Sequence, residues 1–218
     1  MDLSLNLEDL LSIFESYNRA IWPMQVLAYI AGLLAVYAAA KETRSSNNIA
    51  SAILSFFWLW TGVVFCLFHW APTYPAAYAF AVLLTTEGLM FAYHVVAPGL
   101  SFRAGRNRFT YVGVLCVVYA MIGYPLIGWW LGHSYPRSLP FGLAPCPTTV
   151  FTLGLLMLTA ERIPRYLMII PALVAVAAIK PISAGIYEDV GLLIAGIVCL
   201  PMLMRRDREA REQESPSR

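Results

Sequence analysis

Long apolar runs are the feature that most restricts how this chain can fold. A helix that crosses roughly 30 Å of hydrocarbon, rising about 1.5 Å per residue, takes about 20 apolar residues. Seven runs in the sequence meet this requirement, and we therefore expect an all-α, polytopic membrane helix bundle with seven transmembrane helices. The runs are Trp22–Ala40, Ile49–His69, Tyr74–Ala97, Thr110–Gly132, Pro140–Ala160, Tyr166–Ala184 and Gly185–Met204.

Composition supports this class and excludes others. Hydrophobic residues make up 59% of the chain and charged residues 13%, whereas soluble domains carry about 25% charged residues. So few charges cannot cover a water-facing surface. A soluble enzyme, a nucleic-acid-binding module and a disulfide-stapled secreted domain are therefore excluded. The lipid bilayer is the expected partner, and binding to nucleic acid is not expected.

The number of helices has one alternative, six helices with a re-entrant segment. The fifth run contains Pro140, Pro145 and Pro147, and a break from Lys180 to Asp189 separates the last two runs. Loop charges favour seven helices and an external N-terminus, because cytoplasmic loops collect Lys and Arg. That topology leaves only Arg19 and Arg137 outside and Lys180 within a run. It places the following residues in the cytoplasm: Lys41, Arg44, Arg103, Arg106, Arg108, Arg162, Arg165, Arg205, Arg206, Arg208, Arg211 and Arg218.

The seven-helix topology divides the chain into three segments. Residues 1–20 form an external amphipathic helix, with Asn6 as a plausible N-cap, that either lies in the outer interface or docks against the bundle. Residues 21–204 form the membrane domain, and residues 205–218 a charged cytoplasmic tail. The apolar face of the first helix comprises Leu7, Leu10, Leu11 and Phe14.

Ionisable side chains inside the runs are candidates for an ion or substrate site, because they are costly in lipid unless paired or hydrated. Glu87 lies near the middle of the third run, and His94 follows seven residues later on the same helical face. The alternative is a protonated Glu87 bonded to a neighbouring helix, with His94 at headgroup level. Lys180 is a further candidate. Its long stem also allows its ammonium to reach the outer interface near Glu188 and Asp189.

Two thiols and two imidazoles are expected at the outer face. Cys66 and His69 end the second run, His133 follows the fourth, and Cys146 opens the fifth. If these helices converge, the four side chains suit a tetrahedral zinc or copper site. A disulfide between Cys66 and Cys146, or plain packing, is the alternative.

The segment Pro145–Thr149 predicts a break in the fifth run, because prolines on both sides of Cys146 oppose a regular helix. Thr148 or Thr149 would then cap a helix that starts after the break, as in the broken helices of transporters. The alternative is an outer loop that enters the helix with Pro147 in its first turn. Trp58 and Trp60 lie deeper than the other tryptophans, and we expect them to line a cavity.

Several short motifs resemble an uncharacterised family of bacterial multi-spanning membrane proteins, known only as a domain of unknown function. They are Tyr17–Pro23, Phe56–Gly62, Pro75–Tyr78, the Pro-Cys-Pro-Thr-Thr motif Pro145–Thr149 and Glu188–Gly191. The resemblance runs through most of residues 14–204. It implies a bacterial origin and an inner-membrane location. It brings no established activity, cofactor or substrate, and it assigns no catalytic residue.

Transport or sensing of a small solute or ion is the first expectation for function. An outward-facing cavity between the second, third and fifth helices would serve it, with Glu87 as the buried titratable group and Pro145–Thr149 shaping the entrance. A non-catalytic membrane subunit or scaffold of a larger complex, or a homo-oligomer, is the alternative. The third possibility is an intramembrane metal-binding protein or enzyme that uses Glu87, His94 or the outer thiols and imidazoles.

Overall fold

A computed structural model of the protein describes residues 6–41, 43–97, 100–103, 105–159 and 163–214. Residues 1–5 of the predicted N-terminal segment, Arg162 and residues 215–218 of the tail lie outside the described residues. The helices are α1 (Leu7–Ala20), α2 (Met24–Lys41), α3 (Arg44–Trp60), α4 (Ala77–Val96), α5 (Arg108–Val118), α6 (Tyr124–Trp130), α7 (Pro145–Met157), α8 (Tyr166–Ala177), α9 (Ile179–Ala184) and α10 (Val190–Glu214). The π-helical segment Thr61–Trp70 continues α3, Tyr119–Gly123 joins α5 to α6, and a 3-10 turn, Tyr187–Asp189, leads into α10.

The all-α class is confirmed, and six helical stretches are long and apolar enough to cross a membrane. They are Met24–Lys41, Arg44–Trp70, Ala77–Val96, Arg108–Trp130, Tyr166–Ala184 and Tyr187–Arg208. The fifth predicted run differs, because its helix α7 has 13 residues and a length of about 20 Å. Within the described residues, the prediction of seven membrane-length helices is therefore confirmed for six.

The outside of the bundle is apolar. Trp130 is 84% exposed and Val96 is 78% exposed, and α2 exposes a whole face of large apolar side chains. Apolar surface this extensive marks contact with lipid or with another protein. The surface is therefore compatible with an integral membrane protein.

Helix α7 lies at the centre of the bundle, and every one of its residues is buried. It approaches α5 closely, because Gly154 and Gly113 face each other: a Cβ atom at Gly154 would lie 2.8 Å from the Gly113 carbonyl oxygen. The chain reaches α7 through the buried, irregular segment Leu139–Ala144. Irregular backbone at membrane depth is tolerated when protein surrounds it. Gly142 in this segment has φ +73°, and its Cα packs against the Phe57 ring.

One end of the bundle, which we call the basic end, gathers the C-terminus of α7 and its neighbours. An antiparallel bridge joins Phe102 to Thr159, and the Asn47 side chain accepts a hydrogen bond of 3.0 Å from the Phe102 backbone. Arg206 donates to the Thr159 carbonyl at 2.8 Å. A cation at this position also interacts favourably with the C-terminal end of the α7 dipole. The predicted tail thus begins as part of α10, held against the bundle by Arg206.

Helix α1 docks against the opposite end. Asn6 is its N-cap, as predicted, and accepts from the Glu8 backbone at 3.2 Å. Tyr17 is wholly buried; it donates to the Leu143 carbonyl at 2.6 Å and accepts from the Trp60 indole at 2.9 Å. Burial raises the pKa of the Tyr17 phenol well above its ordinary value. The hydroxyl therefore stays protonated, and α1 is anchored in the bundle.

Candidate functional site

A cavity of about 410 Å³ lies at the end of the bundle where α1 docks, which we call the cavity end. The end of the Thr61–Trp70 segment, the starts of α4, α7 and α9, the end of α8, and α1 all contribute to its wall. The size falls in the range of small-molecule sites, roughly 300–1,000 Å³. The lining residues are Leu10, Phe14, Phe65, Trp70, Tyr74, Ala76, Phe80, Leu139, Pro145, Cys146, Val174, Ala177, Ala178, Lys180, Pro181 and Asp189.

Asp189 is the one acidic residue of this wall, and it is wholly buried. The Tyr124 hydroxyl donates to Asp189 Oδ1 at 2.5 Å, and the Cys146 thiol donates to Oδ2 at 3.2 Å. Both donors are neutral. Burying a carboxylate requires such bonds, since an unsatisfied buried charge is very costly.

A second buried carboxylate lies beside the first. Glu188 Oε1 is 3.1 Å from His133 Nδ1, and both residues are buried. Tyr119 donates to the Glu188 carbonyl at 2.5 Å. Gly128 leaves room for the carboxylate, because a Cβ atom there would lie 3.3 Å from Glu188 Oε1. His133, which was predicted as a metal ligand, thus holds Glu188.

The start of α7 matches the alternative to a broken helix, because Pro147 lies in its first turn. The helix begins at Pro145 with Ala144 as its N-cap, so neither Thr148 nor Thr149 caps it, and the regular helix is not broken at Cys146. Prolines fit the first turn because its N–H groups have no intrahelical partner. With prolines in the first and third positions, two of these N–H groups do not exist. A buried helix start without these prolines has more N–H groups that need a partner outside the helix.

The two threonines have other roles. Thr149 donates to the Pro145 carbonyl at 2.7 Å. The Thr148 hydroxyl is buried and has no hydrogen-bond partner among the described residues. Neither lines the cavity.

Tyr74, Lys180 and Trp70 carry the remaining polar groups of the cavity wall. Lys180 is exposed and forms no ion pair with the described part of the chain. The Trp70 indole N–H is buried and has no hydrogen-bond partner there either. Lys180 and Asp189 thus line the same cavity.

Helix α1 covers the cavity from one side. Leu10 and Phe14 belong to the cavity wall. Arg137, in the loop before α7, pairs with Glu8, and its Nε lies 3.9 Å from Glu15 Oε2. These pairs are partly exposed, and exposed pairs stabilise by only about 0–1 kcal/mol.

Glu87 lies elsewhere, inside the bundle on the buried face of α4. It is wholly buried, and neither carboxyl oxygen has a hydrogen-bond partner among the described residues. His94 lies on the same face, as predicted; its Nε2 is 2.7 Å from the Tyr166 hydroxyl on α8. Glu87 does not line the cavity, so the two predicted parts of a transport site are separate.

The two deep tryptophans hold the core together. Trp58 is wholly buried and donates to Thr152 Oγ1 of α7 at 3.0 Å. Trp60 donates to Tyr17. Neither lines the cavity, although Trp60 anchors the helix that covers it.

The four predicted metal ligands are not gathered into one site. Within the described residues, no three His, Cys, Asp or Glu side chains are placed to hold a metal ion. His69 donates to the Val64 carbonyl at 2.8 Å, and His133 and Cys146 contact the two acids. Cys66 and Cys146 are free thiols, so the alternative disulfide is not formed.

Sequence reasoning missed several residues of the site. Asp189 was considered only as a neighbour of Lys180, while Tyr124 and Tyr119 were not singled out. Tyrosines within an apolar run carry no periodic signal that separates a buried hydrogen-bond donor from a membrane-interface side chain. The sulfurs of Cys116 and Cys199 lie 3.5 Å apart between α5 and α10, a contact that the sequence analysis did not predict.

Residues 7–214 match a family of unknown function, DUF6064. Since the match covers nearly the whole chain, the protein belongs to this family. No curated protein and no solved structure matches the chain.

Proposed function

We propose that this member of the DUF6064 family is a bacterial inner-membrane protein that senses or takes up a small, mainly apolar molecule. The chain crosses the membrane seven times, with α7 and the segment before it as the fifth crossing and with the N-terminus outside. The cavity then faces outward and the basic end faces the cytoplasm, in agreement with the positive-inside rule.

The observation that carries this proposal is the cavity itself. It is lined mostly by apolar side chains, and a few polar groups share its wall: those of Asp189, Cys146, Lys180 and Tyr74, and the Trp70 indole. A largely apolar pocket with a few placed polar groups is the usual form of a small-molecule site.

Tight packing below the cavity favours binding over a continuous channel. Beyond Cys146, α7 is buried on all sides, and Phe151 packs against Phe57 and Phe141 with ring centroids 6.1 and 5.0 Å away. A continuous path along α7 through the bundle would have to open this packing. Binding at the cavity, as in a sensor, leaves this packing closed, whereas transport requires it to open.

Photolabelling tests the binding site. The probe is adamantyl diazirine, a neutral apolar cage, applied to the protein in lipid nanodiscs. Saturable labelling is expected on peptides of the cavity wall. It should be lost in Ala177→Trp, which fills the cavity, and kept in Val176→Trp, whose side chain faces outward because Val176 is 63% exposed. Labelling that never saturates and falls only on exposed helix faces contradicts the proposal.

Flux into proteoliposomes tests the transport form of the proposal. If the protein moves its ligand with a coupled proton or cation, Glu87→Gln should abolish or uncouple flux while the protein stays folded. Flux that is unchanged and independent of pH removes Glu87 from the mechanism and leaves binding at the cavity as the activity.

A further inference from the structure

The wall of the cavity also selects a chemical class of ligand, an inference that rests on the proposed binding function. We infer that the cavity binds an organic cation, that is, an ammonium or quaternary ammonium group attached to a compact apolar body. Three features of the wall carry this inference: a buried carboxylate that lacks a counter-ion, a row of aromatic rings and the position of Lys180.

The first feature is Asp189. Its oxygens accept hydrogen bonds from the neutral donors Tyr124 and Cys146, and no cationic side chain of the described residues pairs with it. Both bonds stabilise the ionised form. Asp189 also directly precedes Val190, the first residue of α10, and contacts Cys146 in the first turn of α7. Helix N-termini favour negative charge.

A buried carboxylate without a positive partner is an incomplete ion pair. Buried charges in proteins are normally paired, because the loss of solvation has to be offset. Asp189 is wholly buried and borders the cavity, so a cation bound in the cavity would supply the missing charge. The protein already provides the hydrogen bonds that such a pair needs.

The second feature is a contiguous row of aromatic rings on the same wall. Ring centroids lie 6.3 Å apart between Phe14 and Phe65, 6.0 Å between Phe65 and Trp70, and 5.7 Å between Trp70 and Phe80. Aromatic faces attract cations, Trp most strongly, and aromatic cages recognise quaternary ammonium groups. An apolar body and a cationic head therefore both find complementary surface.

The third feature is Lys180, whose charge allows an experiment to distinguish a cationic ligand from an anionic one. It shares the wall with Asp189 but is exposed, and its long stem allows the ammonium to turn toward solvent. For a cationic ligand it is a repelling neighbour, whereas for an anionic ligand it would be the main attraction. Removing its charge should therefore have opposite effects on the two kinds of ligand.

Calorimetric titration of the protein in lipid nanodiscs, with empty nanodiscs as the blank, tests the inference. Phenyltrimethylammonium is the cationic probe, and benzenesulfonate is an anion of similar size. Tert-butylbenzene, which has the same shape as the cation without the charge, serves as a competitor. The cation should bind more tightly than either of the other two.

Three variants separate the contributions. Asp189→Asn, nearly the same in shape, should weaken cation binding by roughly 10-fold or more, and Trp70→Leu, which keeps the carboxylate, by roughly 2- to 30-fold. Lys180→Gln should tighten cation binding. Weaker cation binding in Lys180→Gln, or equal binding of cation and neutral probe by the unchanged protein, overturns the inference. Because Lys180 is exposed, this variant remains informative even if Asp189→Asn does not fold.

The outcomes also separate this inference from the proposed function. Saturable labelling by adamantyl diazirine without any preference for the cation leaves the binding cavity in place and overturns only the ligand class. If the cavity is not labelled and neither charged probe binds, both proposals fail.

Discussion

Replacing Glu87 by methionine should stabilise the protein. The Glu87 carboxyl is wholly buried, and neither oxygen has a hydrogen-bond partner among the described residues. Burying a polar group without a partner costs about 1–3 kcal/mol in proteins. Methionine has a similar shape and flexibility, so Glu87→Met removes this cost without leaving a large cavity.

The expected gain is therefore about 1–3 kcal/mol in the free energy of unfolding. For a chain of this length, each kcal/mol shifts the midpoint of thermal unfolding by roughly 2–4 °C. The assay is thermal unfolding in detergent, followed by intrinsic fluorescence, and the midpoint should rise by roughly 2–12 °C.

Glu188→Met is the matched control. Glu188 is also buried, but its carboxylate is 3.1 Å from His133 Nδ1. Its loss would leave a buried imidazole without its partner and lower stability by about 1–3 kcal/mol. If Glu87→Met lowers the midpoint as Glu188→Met does, the reasoning is refuted. Glu87 would then hold a bound ion, or another partner, that stabilises the fold.

Three further changes test the packing. Gly154→Ala should destabilise by about 1–3 kcal/mol in the same thermal assay, because its Cβ would lie 2.8 Å from the Gly113 carbonyl oxygen; an unchanged midpoint would mean that α5 and α7 lie further apart. Tyr17→Phe removes the partner of the Leu143 carbonyl and of the partly buried Trp60 indole, and it should cost about 1–3 kcal/mol. Protease cleavage within α1 should become faster, and cleavage at the original rate would contradict the anchoring. Arg206→Met should lower the midpoint by removing the bond to the Thr159 carbonyl, whereas an unchanged midpoint would show that α10 is held by other contacts.

The sequence alone predicted the helices because the bilayer imposes a strong one-dimensional rule. Each crossing needs about 20 apolar residues, and Tyr166–Ala184 was predicted with the bounds that the structure gives it. The N-cap of α1 was also predictable, since a cap depends only on neighbouring residues. At Pro145–Thr149 the local rules left two structures open, a broken helix and a helix whose first turn accepts proline, and the structure has the second.

The candidate site depended on contacts between distant parts of the chain. Asp189 meets Cys146 and Tyr124 across separations of 43 and 65 residues, and no spacing pattern in an apolar run predicts which faces of two helices meet. Glu87 lies on the buried face of α4 and does not line the cavity, whereas Asp189 is the acid on the cavity wall. A role of Glu87 in transport stays a prediction.

Sequence by itself thus determined the class of the protein, the length of most helices and the acids that are costly to bury. These follow from the transfer of side chains between water and lipid, which depends on composition and local order. Only the tertiary structure decided which acid is satisfied and which is left without a partner. A hydrogen bond requires two atoms within about 3 Å, and that proximity is created by the packing of α7 against its neighbours.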